Sequence, residues 1–140
     1  MRAWRHRQSE RGAVAVEFAL VFPLVFAVMF GIIQYGLYFW GRSTAAASAR
    51  ESARQMAVGT NWTCSQAEAV NKANSAVRNV VITYRYLNAT NTAKVGDLVE
   101  VTVTAKTLAP NLLPVPSGGS ISEVATARVE NIPTSALDCS

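Results

Sequence analysis

The sequence predicts an α+β protein in which a long amino-terminal helix crosses a membrane and carries a small outer domain with a second helix and three antiparallel strands. The helix is predicted because residues 18–41 carry no charged side chain and, at about 1.5 Å per residue, reach across a hydrocarbon core of about 30 Å. The sheet is predicted because apolar residues alternate with polar ones after residue 80. A chain of 140 residues has room for this helix and one small domain.

Positive charge is concentrated before the apolar helix. Four arginines and one glutamate give the first eleven residues a charge of +3, out of +4 for the whole chain. Because basic residues flanking a membrane helix favour the cytoplasmic side, the amino terminus is predicted to stay inside and the domain to lie outside. The other charges are interspersed without a basic stripe, so no nucleic-acid partner is predicted.

The helix is predicted to continue beyond the membrane, because the residues after Gly41 are strong helix formers and the next glycine is Gly59. The chain then divides into four segments: a basic leader (1–12), a transmembrane helix (13–41), a helix extension (42–58) and an extracytoplasmic domain (59–140).

Three aromatic side chains lie near the outer end of the apolar run, namely Tyr35, Tyr38 and Trp40. Rings with an apolar body and a polar tip suit the headgroup boundary, so these residues are predicted to mark the level at which the helix leaves the membrane. Packing against a neighbouring helix is the alternative.

The outer domain is predicted to begin with a helix. Ser65-Gln66-Ala67-Glu68 matches a capping box, in which the serine and the glutamate satisfy free amides of the first helical turn. Alternating patterns over 80–87 and 99–106 then predict two paired strands, and the extended pattern of 121–129 predicts a third.

The segment 108–120 contains three prolines and two glycines and is predicted to be a loop. Its apolar residues are explained equally well as a partner-binding patch or as a cover for the domain's own sheet. They are Leu108, Leu112, Leu113 and Val115.

Two cysteines, Cys64 and Cys139, stand at opposite ends of the outer domain. In an oxidising compartment a bridge between them would close a loop of about 75 residues and stabilise the domain by roughly 4 kcal/mol. Separate thiols and a bridge to another chain are the alternatives. No metal site is predicted, because the single histidine lies in the leader.

Glu17 is the only charged residue between Arg11 and Arg42. Burial of an isolated charge in lipid costs roughly 3 kcal/mol or more, which favours a functional role for this carboxylate. The simpler explanation is a first-turn acid that interacts with the helix dipole, worth about 0.3 to 1 kcal/mol.

A family resemblance joins these features. The run Arg11-Gly12-Ala13-Val14-Ala15-Val16-Glu17-Phe18-Ala19-Leu20-Val21-Phe22-Pro23, with Phe30-Gly31-Ile32-Ile33 farther along, resembles TadE-family minor pilins (pseudopilins) of the tight-adherence, or Tad, pilus system. The strand pattern at 99–103 and the segment at 125–130 resemble the carboxyl half of that family.

The resemblance implies a pilin-like fold and cleavage between Gly12 and Ala13 by prepilin peptidase. Glu17 would become the fifth residue of the mature chain and would be followed by Phe18, as in prepilin motifs. One helical turn separates the new amine of Ala13 from the Glu17 carboxylate, so the two charges can meet within one subunit or between neighbours.

The resemblance also implies a cellular location and a set of partners. It places the chain in the cytoplasmic (inner) membrane, as a single-pass protein, or in the pilus, and implies no cofactor. The implied partners are prepilin peptidase, the other minor pilins, the major pilin, the inner-membrane assembly platform and membrane lipid. Their common function is assembly of a pilus for adhesion or secretion.

Two other classes of protein are weighed against this interpretation. Small residues at 45–49 resemble a site for ordinary signal peptidase, which would make the chain a secreted or membrane-held binding domain, although the apolar run is long for a signal sequence. An enzyme is not predicted, because no histidine lies in the outer region and its carboxylates follow no catalytic motif.

Overall fold

A computed structural model describes the backbone of residues 6–110 and 112–132, and side chains from residue 12 onward within these ranges. It confirms the predicted α+β architecture: a long apolar helix, a second helix and a three-stranded antiparallel sheet. Cys139 and the first five residues lie outside the described ranges.

The first helix, α1, spans His6–Ala57 as one continuous element of 52 residues. It ends as predicted at Gly59, whose φ of 92° is available to glycine at little cost. The amide of Gly59 donates to the carbonyl of Met56 at 3.2 Å, and the amide of Thr60 donates to that of Gln55 at 2.9 Å. These two bonds form a Schellman motif, which satisfies the last carbonyl groups of the helix.

The second helix, α2, spans Trp62–Ala73 and begins earlier than predicted. Its N-cap is Asn61, whose side-chain oxygen accepts the amide of Thr63 at 2.9 Å. The predicted capping box is therefore wrong. Ser65 is buried instead, and its hydroxyl donates to the carbonyl of Ser52 on α1 at 3.4 Å, so tertiary packing determines its environment.

The sheet consists of β1 (Val77–Tyr86), β2 (Leu98–Thr107) and β3 (Ser120–Arg128), in that order and antiparallel throughout. β1 begins earlier than predicted because it contains a bulge. The pairing shifts between Arg78 and Val81, and Asn79 between them has a φ of 54°. A bulge adds a residue to one strand, which hides the simple alternation from sequence reasoning.

The core lies between one face of the sheet and the carboxyl-terminal half of α1, which is called the outer half below. The second helix, α2, packs against the same side of the sheet. Alternate residues of β2 are fully buried, as their period of two predicts. They face small residues of the helix, which allow the backbones to approach closely. The β2 residues are Val99, Val101 and Val103, and those of the helix are Ala45, Ala49 and Ala53.

The prediction that three aromatic residues mark the headgroup boundary is wrong for Tyr38. Its side chain is 5% exposed and belongs to the domain core. Trp40 is 50% exposed, and Tyr35 donates a hydrogen bond to the carbonyl of Pro114 at 2.7 Å. The domain therefore covers part of the predicted transmembrane segment, at positions before residue 41.

Candidate assembly site and its junction with the domain

The residues predicted to direct processing and assembly lie together on the first helix. Gly12, Ala13, Glu17 and Phe18 are all exposed. A Cβ atom placed on Gly12 would meet nothing within 4 Å. The structure thus leaves this stretch accessible to a peptidase or to another subunit.

The whole first part of α1 shares this exposure. Residues 12–30 are exposed on every side, and the first half-buried position is Gly31. The helix is long and apolar enough to cross a membrane by its length and composition. Because an apolar helix that is exposed all round requires an apolar environment, its surface is suited to lipid or to other apolar helices.

Four phenylalanines form a continuous ridge along this exposed helix. Successive ring centroids lie 5.3, 4.6 and 5.4 Å apart, distances at which aromatic rings attract each other. Their four-residue spacing was the sequence signal, and our sequence analysis did not use it. The members of the ridge are Phe18, Phe22, Phe26 and Phe30.

The domain meets the exposed helix at Gln34, which our sequence analysis also did not use. Its side chain is 1% exposed. The side-chain oxygen accepts the amide of Leu113 at 2.9 Å, and the side-chain nitrogen donates to the carbonyl of the same residue. One amide thus satisfies both backbone groups of Leu113. A lone amide within an apolar run was the available signal.

The loop also approaches the helix at two neighbouring positions. Leu113 lies close to Gly31, where an added Cβ atom would be 3.4 Å from Cδ1 of Leu113. The hydroxyl of Tyr35 donates to Pro114, as described above. Leu113 and Val115 are half-buried, whereas Leu108 and Leu112 remain exposed. The loop therefore both covers its own helix and presents apolar surface.

Ion pairs reinforce the outer half of the helix. The Arg42 guanidinium donates to Glu123 on β3, and this contact raises the pKa of Arg42. Arg54 lies 2.7 Å from Glu51 one turn away, and its hydrogen bond lowers the pKa of the Glu51 carboxyl. Such exposed pairs contribute little to stability, because solvent screens their attraction.

The described residues include no group of three potential metal-ligating side chains. Cys64 is half-buried on α2. Since Cys139 lies outside the described residues, the bridge between these cysteines stays a prediction.

Comparison with known families gives one match. The family model of TadE-like proteins matches residues 12–54, which include the exposed part of α1 and most of the part that packs against the domain. The match does not extend to α2 or the sheet. Comparisons with curated proteins and with solved structures gave no match. Residues 12–54 are therefore similar to TadE-like proteins, the family that the sequence resembles.

Proposed function

We propose that the chain is a membrane-anchored minor pilin of the Tad pilus system. In this proposal residues 1–12 form the leader, residues 13–41 contain the membrane span, and prepilin peptidase cleaves between Gly12 and Ala13. The mature subunit takes part in assembling a pilus for adhesion or secretion. The TadE-like match, which begins at Gly12 and links the chain to this system, supports the proposal.

The observation that carries the proposal is the division of the first helix into two parts. The outer domain packs along the part from Gly31 to Ala57 and leaves residues 12–30 exposed. An anchor of this kind lies in lipid as a single subunit. After extraction from the membrane, the same apolar surface can pack against other subunits without refolding of the domain.

Glu17 gives this surface a preferred position in the assembly. In the trimmed chain its carboxylate is one helical turn from the new amine of Ala13. Either group alone is costly to transfer into an apolar fibre, and pairing with the opposite charge of a neighbouring subunit offsets part of that cost. The pair therefore favours one axial register between neighbours.

The protein's surroundings follow from this function. The amino terminus faces the cytoplasm and the domain lies outside the cytoplasmic membrane, in accordance with the basic leader. The partners are prepilin peptidase, the other minor pilins, the major pilin and the inner-membrane assembly platform.

Mass spectrometry of the mature amino terminus tests the processing step. The native chain is expected to begin at Ala13 and Gly12→Leu to keep the leader. Gly36→Leu is the matched control, because Gly36 also lies on α1 with open space around it, and this variant should be trimmed normally. Normal trimming of Gly12→Leu would refute the cleavage site. A start near Ser48 or Arg50 would instead support cleavage by ordinary signal peptidase, and an intact Met1 would support a plain membrane anchor.

Pilus yield tests the role of Glu17. Glu17→Ala and the isosteric Glu17→Gln are expected to be inserted and trimmed normally but to lower the amount of assembled pilus. Unchanged yield with both variants would refute the charge pair. Full yield with Glu17→Gln alone would show that hydrogen bonding, rather than charge, is required.

A further inference from the structure

We propose that the loop after β2 makes a second contact with the membrane. Its tip, defined here as residues 112–116 and called the Leu-Pro tip, docks into the outer leaflet beside the first helix. The partner of this surface is the acyl-chain region of the bilayer. This inference rests on the membrane placement of α1 in the proposed function.

The tip lies beside the helix at the level where a membrane span that begins at Ala13 would end. At about 1.5 Å per residue, Gly31 lies about 27 Å and Gln34 about 32 Å along the helix from Ala13. Gln34 is hydrogen-bonded to Leu113, and Gly31 lies close to the same residue. A hydrocarbon core about 30 Å thick that begins at Ala13 therefore ends at the level of the tip, and any tilt of the helix places the tip deeper.

Several polar backbone groups of the tip have hydrogen-bond partners within the protein. An unsatisfied amide or carbonyl is costly in lipid, so irregular backbone at this depth must find partners within the protein. Both backbone groups of Leu113 are bonded to the buried Gln34 side chain, and the carbonyl of Pro114 accepts from Tyr35. Pro114 and Pro116 have no amide to satisfy. These contacts and the two prolines reduce the number of free backbone polar groups that the tip would carry into an apolar environment.

The side chains are a further argument. No charged residue occurs between Lys106 and Glu123, and none occurs between Glu17 and Arg42 on the helix that the tip contacts. Leu112 is 61% exposed, although burial of a leucine contributes about 1.5 to 3 kcal/mol. Lipid is favoured over a protein partner, because the exposed helix that continues from this surface lies in lipid in the proposed function.

Quenching of tryptophan fluorescence by brominated lipid tests the proposal. The full-length protein, with Trp4, Trp40 and Trp62 replaced by phenylalanine, is reconstituted into phosphatidylcholine vesicles with brominated acyl chains. Leu112→Trp then reports on the tip.

Two further variants in the same background make the experiment decisive. Val95→Trp is the matched control. Val95 is 62% exposed, against 61% for Leu112, but it lies beside Gly96, whose amide donates to Val129 near the outer end of α1. Phe26→Trp reports on the helix itself.

We expect the tryptophan at 112 to be quenched about as strongly as the one at 26, and several-fold more than the one at 95. Its emission should also lie at shorter wavelength than that of the control. Equal, weak quenching at 112 and 95 with strong quenching at 26 would overturn the docking of the tip and leave the anchor intact. Weak quenching at 26 would overturn the membrane placement, and the docking with it.

Discussion

The two parts of the first helix show how one continuous element serves two environments. Residues 12–30 carry large apolar side chains that are exposed on every side. From residue 45 onward the buried face consists mainly of alanine and serine, and the sheet and α2 cover it. Large side chains suit lipid, which adapts to their shape, whereas small ones allow a rigid sheet to approach closely. Side-chain size therefore distinguishes the buried face of the second part from the surface of residues 12–30.

Adding volume should therefore disrupt the outer part alone, and this is the largest effect we expect. Ala49 is fully buried, so Ala49→Leu should destabilise the domain by about 3 kcal/mol through overpacking. Ala27→Leu makes the same change on the exposed part and should alter stability by less than about 0.5 kcal/mol. Chemical denaturation in detergent micelles measures both. Equal effects would contradict the division of the helix.

The junction between the two parts can be broken at Gln34. Gln34→Leu leaves the amide and carbonyl of Leu113 without partners and should cost about 2 kcal/mol, because unpaired buried polar groups are expensive. Hydrogen exchange at the Leu113 amide should accelerate as well. Gln55→Leu is the control, since Gln55 bonds the exposed Glu68 at 2.6 Å and its loss should matter little. Unchanged exchange at Leu113 would argue against the contact.

Replacement of glycine by alanine should have different effects on stability at two positions of α1. A Cβ on Gly41 would lie 2.8 Å from Cγ1 of Val77 and 3.2 Å from the carbonyl oxygen of Ala76, so Gly41→Ala should destabilise the domain by about 1 kcal/mol. Gly36 has open space, and Gly36→Ala should be neutral or stabilising by up to about 1 kcal/mol through helix propensity. Thermal unfolding compares them, and stabilisation by both would show that the Gly41 contact is loose.

The smallest effect concerns the pair between Glu51 and Arg54 on the surface of the outer part. Because Arg54 lowers the pKa of Glu51 in the folded protein, the pair contributes fully above the unfolded pKa of about 4.3 and is lost as the pH falls through the folded value. Glu51→Gln should therefore cost a few tenths of a kcal/mol at pH 7 and nothing in acid. A pH series of denaturation curves measures the difference, and a constant difference would exclude the ion pair as its cause.

Sequence reasoning predicted the elements better than their contacts. The period of two was sufficient to predict β2, and Gly59 was sufficient to predict the end of α1, because each feature depends on local backbone geometry. The start of α2 was misplaced, since Ser65 satisfies a local capping pattern and yet is buried against Ser52. The surroundings of Tyr38 were predicted wrongly for a related reason. The sequence around this ring is the same whether lipid or a protein domain covers it.

The sequence by itself determined that this chain has a long apolar helix, a lone carboxylate after a glycine, and a small domain with an antiparallel sheet. These features depend on residue order and on periods of a few residues. Only the tertiary structure decided where the domain meets the helix. The pairing of Gln34 with Leu113 joins residues 79 positions apart, and no local pattern specifies such a contact, because its stability comes from burial that exists only after the chain has folded.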